Sequence, residues 1–313
     1  MRRFLQRVAL FGVLIAVIDL PFRWAIYQLP GKEYDVRLRR VLNDSLDADI
    51  VVFGSSRGAR NVIPERLTAI TGRSAYGLAY PGASIEWQEF LLRQVLLGTH
   101  TPRTVLLVVD DPAELIAMPT VDFRLDRAYP LVAYPEVNAE VCARTGRSEA
   151  FSRILAAYRV KDSVGNLWSP PKPDRYDTVN ADGSMTIAWR AEGMDTAHFQ
   201  DKHRAYDAER ESVTLRDAYQ RFVTACAQHH VQLVLVHAPD LRRPSEPFVA
   251  RMLELAAGHA TEYRYDTTDR RYREARYYFD RLHLNSEGAG IFSEELGHYL
   301  TTLSPPASRR RVP

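Results

Sequence analysis

Asp49-Ile50-Val51-Val52-Phe53-Gly54-Ser55-Ser56 is the stretch on which the reading of this chain turns. An unbroken apolar run ending in glycine fits a strand buried on both faces, and such strands belong to parallel sheets. Working outward, 75–79 reads as a weaker second strand and 104–109 as the clearest buried strand. Residues 232–237 give another, and 262–265 a short last one. Helical spacing lies between them: Trp87, Phe90, Leu91, Gln94 and Val95 recur at i, i+3, i+4 within 85–97. Residues 215–229 continue the pattern, and 286–300 reads as a closing helix. Strands alternating with helices predict a parallel α/β sheet covered on both faces.

With 313 residues, 46% hydrophobic and 26% charged, the chain can bury a sizeable core without staples. Collagen, disulfide-scaffold and wholly disordered readings are excluded on composition. Lys+Arg total 41 against 39 Asp+Glu, a net +2, so a dedicated nucleic-acid binder is not expected. Cys142 and Cys226 sit in no CxxC, and either a disulfide or two buried thiols satisfies the sequence.

At the N-terminus, Arg2, Arg3 and Arg7 precede an apolar run from Val8 to Ile18. Asp19, Pro21 and Arg23 interrupt its continuation through Leu20, Phe22 and Trp24 to Tyr27. Counted from Phe4 to Tyr27 the stretch is long enough to span a bilayer, with Trp24 and Tyr27 suited to an interface. No small-x-small cleavage site follows, so residues 1–28 are expected to be a retained signal anchor, with a helix of a soluble protein as the alternative. The arginines predict a cytoplasmic N-terminus and an exported remainder, although Lys32, Arg37, Arg39 and Arg40 flank the other side. A polar stalk is expected at 29–47, the α/β domain at 48–305 and a basic tail at 306–313.

An interval at 113–205 breaks the α/β rhythm and is expected to act as a lid. It carries Trp168, Tyr176 and Trp189, and its stretch 176–189 predicts a hairpin around Asp182-Gly183.

The chemistry gathers at two places. Gly54-Ser55-Ser56 follows the first strand, and open α/β sheets build their sites at the carboxyl ends of strands. Far along the chain stands Asp280-Arg281-Leu282-His283. Carboxylate and imidazole three residues apart can meet, fixing the tautomer so that the other ring nitrogen can take a serine proton. Rival motifs fail: the glycine turn at 54–60 lacks a third glycine, no Gly-Lys-Ser/Thr loop exists, and the neighbours His229 and His230 point apart on a helix. His237, at a strand end, reads as structural. No cofactor and no metal is expected.

These blocks resemble the SGNH/GDSL hydrolases. Gly54-Ser55-Ser56 stands where that family has Gly-Asp-Ser, and Asp280-Arg-Leu-His283 with the following Leu-Asn-Ser-Glu-Gly matches its last block. Tyr80-Pro81-Gly82 is similar to its second block. The resemblance implies a three-layer, flavodoxin-like parallel sheet, Ser56 as nucleophile, His283 as base, Asp280 as its orienter, and an oxyanion hole from the amides of Ser56 and Gly82. The chain departs from the family at Ser55 and at Val109-Asp110-Asp111-Pro112, where Gly-x-Asn-Asp is missing. Together with the anchor, these departures resemble a branch of inner-membrane, single-pass proteins that acylate cell-envelope polysaccharides. That resemblance implies an O-acyltransferase facing the periplasm, with acetyl as the favoured group, a glycan acceptor and a membrane-bound O-acyltransferase as donor partner. An SGNH esterase or deacylase, or a non-catalytic docking or polymer-binding partner, are the alternatives.

Overall fold

The computed structural model describes residues 1–28, 36–159, 178–194, 197–203 and 205–303. They form two compact units, Met1–Arg39 with Arg124–Asp174, and Arg40–Phe123 with Arg175–Pro313. The expected stalk residues 29–35, Trp168, Tyr176 and the tail 306–313 lie outside the described residues.

In the first unit, helix α1 (Arg2–Gln28) contains a stretch, Arg2–Trp24, long and apolar enough to cross a membrane. Its apolar side chains, Leu10, Phe11 and Val13 among them, are exposed. Of the expected stalk, Val36–Leu42 is instead a helix, α2, with Leu38 and Val41 buried. Those two residues are three apart and share a face, which the surrounding arginines hide from a composition-based reading.

The second unit is built on a five-stranded parallel sheet. Its strands are β1 (Ile50–Gly54), β2 (Ala75–Gly77), β3 (Thr104–Val108), β5 (Gln232–His237) and β7 (Ala260–Arg264). The order is β2-β1-β3-β5-β7, while β4 (Gln200–His203) pairs separately with β6 (Arg242–Arg243). The register sets Val52 beside Leu106 and Leu106 beside Val234, so the three central strands present continuous apolar rows. Strand β2 stops two residues short of the expected 79, yet Leu78 and Tyr80 still donate to Val52 and Gly54 carbonyls at 2.7 and 3.0 Å. Strand β7 starts two residues before the expected 262, because Ala260 and Thr261 pair with Leu233 and Val234. Polar residues on this edge strand conceal it from a search for apolar runs.

Side chains alternate across the sheet. Ile50, Val52, Leu106, Val108, Val234 and Val236 pack with residues of α4 (Pro64–Thr71) and α12 (Ser286–Thr302), including Leu67, Phe292 and Leu296. On the opposite face Phe53 meets Phe222 of α10 (Val213–Gln228) edge-on at 5.5 Å. Helix α5 (Ile85–Leu97) packs against α10 on that side. Helix α11 (Glu246–Ala256) joins β6 to β7, and α3 (Ser56–Asn61) follows β1 directly. Pro64 opens α4 at its first position rather than breaking α3, because proline has no amide to lose there.

The chain leaves β1 for β2 on one side and returns to β3 on the other. That reversal opens a crevice beyond the carboxyl ends of β1 and β3. Residues 113–205 are shared between the two units. Helices α6 (Leu125–Ala128), α7 (Pro135–Thr145), α8 (Ala150–Ile154) and α9 (Ala156–Arg159) belong with α1. The described part of 178–203 belongs with the sheet. Cys142 and Cys226 are free thiols, and burial pushes the Cys226 thiol up to about 12.

Candidate functional site

Gly54 ends β1 at φ +142°, a conformation that favours glycine. A Cβ there would also stand 2.7 Å from the Val108 carbonyl oxygen. The turn therefore brings the chain sharply off the sheet, and Ser55 and Ser56 emerge with their side chains on different partners. Ser55 is buried, and its Oγ donates to Asp110 Oδ2 at 2.7 Å. Ser56 opens α3, and its Oγ stands 2.7 Å from His283 Nε2. His283 Nδ1 lies 2.8 and 2.9 Å from the two oxygens of Asp280. The three residues foreseen as a relay are thus hydrogen-bonded in series, although Ser56 and His283 stand 227 positions apart in the chain.

Asp280 is fixed by its own loop. Its Oδ1 accepts from the Leu282 and His283 amides at 2.8 and 2.9 Å. Burial favours the protonated carboxyl, but the bond from the His283 ring, the attraction to that ring and the two amides outweigh it and hold Asp280 below the ordinary carboxylate range. With Nδ1 donating to this carboxylate, Nε2 carries the lone pair that faces the serine. A serine hydroxyl so placed can give up its proton as it attacks an electrophilic carbon.

Further hydrogen bonds hold the loop in place. Asn61, at the end of α3, accepts from the Leu284 amide at 2.9 Å, linking the serine helix to the residue after His283. Phe279 donates its amide to the His283 carbonyl at 2.8 Å, and Asn285 caps α12 by accepting from Gly288 at 3.0 Å. Asn285 lies in the Leu-Asn-Ser-Glu-Gly stretch that follows His283, and asparagine is a favoured residue at a helix start. Nothing local marks Asn61, whose partner lies 223 residues away.

Gly82 sits in a turn closed by the Ala83 amide on the Tyr80 carbonyl at 3.0 Å, with Pro81 before it and φ +70° at the glycine. This is the pattern of a type II turn, which needs glycine at its third position. Tyr80 donates to the Gly54 carbonyl at 3.0 Å, so the turn is tied to the end of the serine strand. At the end of β3, Asp110 and Asp111 bring carboxylates rather than an amide side chain. Asp110 backs Ser55, while Asp111 Oδ2 accepts from the Ser245 amide at 2.9 Å.

Behind this turn lies a buried ionic layer that the sequence reading did not single out. Arg57, next to the serine, donates to the Ala238 carbonyl and lies 3.7 Å from Asp240. Burial alone would lower its pKa, but Asp240, Asp110 and Asp111 together raise it, so the guanidinium stays charged. Glu114 Oε1 accepts from the Asp110 amide at 3.3 Å. Burial first, and the Asp110 charge second, push Glu114 up to about 8. An unfolded chain gives up this proton near 4.5, so between that value and about 8 stability falls as pH rises, then levels off. Glu114→Gln is expected to remove that slope and to gain a few kcal/mol above pH 8, read by urea denaturation across the window. An unchanged pH slope would show that Glu114 ionises normally.

His237, read from the sequence as structural, is buried at the end of β5, and burial with the nearby Arg264 and Arg57 charges lowers it to about 3. Among the described residues no group of three or more His, Cys, Asp or Glu is placed to hold a metal ion.

The expected hairpin at 176–189 is not a strand pair in its described part. A turn is present, with Gly183 at φ +83° and Asn180 donating to the Ser184 carbonyl at 2.8 Å. Beyond the turn its backbone bonds to other elements. The Asp182 carbonyl accepts from Gly77 at 2.9 Å, Met185 donates to Ala59 at 2.7 Å, and Ile187 accepts from Ser286 at 2.8 Å. Trp189 meets Phe279 edge-on at 4.9 Å, and Ala191 donates to the Phe279 carbonyl at 2.8 Å. This segment covers the open side of β2 and buttresses the serine helix and the histidine loop at once.

No family model matches the chain, and no curated protein matches it.

Proposed function

We propose that the protein is an acyl-transferring enzyme of the SGNH type, using Ser56 as nucleophile, His283 as general base and Asp280 as the group that orients it. The observation carrying this reading is the unbroken series of hydrogen bonds from Ser56 Oγ through both nitrogens of His283 to Asp280. Its position adds support: the serine follows the strand at which the sheet order reverses, and the order β2-β1-β3-β5-β7 is that of a flavodoxin-like sheet.

In this mechanism Ser56 Oγ attacks the carbonyl carbon of an acyl donor while Nε2 of His283 takes the hydroxyl proton. Asp280 stabilises the resulting imidazolium, and the Ser56 and Gly82 amides receive the developing oxyanion. Collapse passes the proton from His283 to the leaving oxygen and leaves an acyl-serine. A second oxygen nucleophile, deprotonated by the same imidazole, then removes the acyl group.

We assign that nucleophile to a hydroxyl of a cell-envelope glycan, with acetyl as the favoured cargo and a membrane-bound O-acyltransferase as the source. Support comes from α1, whose stretch Arg2–Trp24 is long and apolar enough to cross a membrane, and from Arg2, Arg3 and Arg7, which favour retention of its start in the cytoplasm and export of the rest. The non-catalytic docking alternative fits less well, since a mere scaffold has no need of a serine within 2.7 Å of a carboxylate-oriented histidine.

The purified full-length protein is to be given a small activated acetate ester, alone and with envelope glycans. Acetate release alone and acetyl transfer to a glycan hydroxyl distinguish esterase from transferase. Failure to turn over the ester, with an acetyl-serine never detected, removes both.

A further inference from the structure

We propose that α8 and α9 sit in the bilayer interface beside α1, covering its one buried carboxylate with their backbone and presenting an apolar face to lipid. The inference rests on the reading of α1 as a membrane span.

Asp19 interrupts the apolar stretch Arg2–Trp24. A carboxylate at that depth is costly unless partnered. Here its side chain is only 3% exposed, Oδ2 pairs with Arg23 Nε at 2.7 Å, and Oδ1 accepts from the Ala157 amide at 2.8 Å. Arg23 in turn donates through Nη2 to the Ile154 carbonyl at 2.6 Å. Two bonds in opposite senses thus tie one turn of α1 to the junction of α8 and α9.

That tie fixes a depth. At ~1.5 Å per residue, Asp19 lies about 25 Å along α1 from Arg2, against a hydrocarbon layer about 30 Å thick. The junction therefore stands where the span ends. Ser152 and Ala156 turn inward, whereas Phe151, Ile154 and Tyr158 are 67%, 64% and 44% exposed. The rings of Phe151 and Tyr158 approach to 6.0 Å, so the three form one patch, and Arg153 beside them is exposed. Aromatic and aliphatic side chains with a flanking arginine suit the headgroup boundary of an anionic membrane. The exposed Val17, Leu20 and Trp24 belong to the same length of α1. A bilayer that surrounds α1 reaches this patch, which is why lipid, rather than a second copy or another protein, is the occupant proposed.

Full-length protein is reconstituted in nanodiscs of phosphatidylethanolamine and phosphatidylglycerol on a Cys142→Ser background, Cys226 being buried. Single nitroxide labels are placed through Phe151→Cys, Ile154→Cys, Val13→Cys and Val213→Cys. Oxygen collisions are expected to exceed those of a water-soluble nickel chelate at 13, 151 and 154, with the ratio inverted at 213. Lipid exposure at 13 with aqueous behaviour at 151 and 154 overturns the proposal and leaves the anchor standing. Protection from both reagents at 151 and 154 indicates a protein cover and also overturns it. Aqueous behaviour at 13 overturns the span and the proposal with it.

Discussion

Ser56→Ala is expected to lower turnover of an activated ester on the order of a thousandfold or more, leaving only what an oxyanion site and binding provide. Ser55→Ala is the informative companion. The two hydroxyls are adjacent, but one faces His283 Nε2 and the other Asp110 Oδ2, each at 2.7 Å. Losing the Ser55 hydroxyl leaves a half-buried acceptor on Asp110 short of a donor and loosens the turn, at about 1–3 kcal/mol. It does not remove the nucleophile. Circular dichroism is expected to be unchanged in Ser56→Ala, because its hydroxyl has no structural partner besides the histidine ring among the bonds that define the turn. A larger loss of turnover from Ser55→Ala than from Ser56→Ala would move the nucleophile by one residue.

Asp280→Asn is expected to cost about ten-thousandfold in kcat. An amide at this position presents the wrong hydrogen-bonding group to Nδ1, so the ring settles in the tautomer whose Nε2 carries a proton and cannot accept one. KM for a small ester is expected to change little, since Asp280 holds the base rather than the acyl group. The same residue gives an acid signature. Its pKa is lowered in the folded protein, so its contribution to stability is present above the ordinary carboxylate range and is lost as pH falls through the lowered value. Asp280→Asn is therefore expected to flatten the acid limb of a stability profile. An Asn variant that retains wild-type kcat would contradict the assignment.

Buried strands and local motifs were legible in the sequence, because their signals lie within a few residues. The runs 50–54, 105–108 and 233–236 are continuously apolar, and Asp280 and His283 are close enough in the chain to be read as a pair. The α/β class follows from the first, and the positions of the relay residues from the second. What stayed hidden depends on distant partners. Asn61 reaches Leu284, Asp110 reaches Ser55 and Arg57 reaches Ala238, none of which has a local pattern. Asp110-Asp111 was read only as the absence of an asparagine, although carboxylates at a strand end bring a positive function of their own, holding Ser55 and the Ser245 amide. The stretch 176–189 looked like an independent hairpin because Asp-Gly signals a turn whatever its arms then do. Its Asp182 and Ile187 carbonyls instead accept from β2 and the start of α12, and its Met185 amide donates to α3. In α2, alternating arginines masked a buried apolar face, and in α1 the cover over Asp19 comes from residues more than a hundred positions later.

The central claim is that Ser56 is an activated nucleophile. Reaction of the full-length protein with a fluorophosphonate, followed by digestion and mass spectrometry, tests it most directly. The account predicts a single adduct on Ser56 that is lost in Ser56→Ala and strongly slowed in Asp280→Asn. No adduct on the folded protein, or an adduct on another serine, would contradict it.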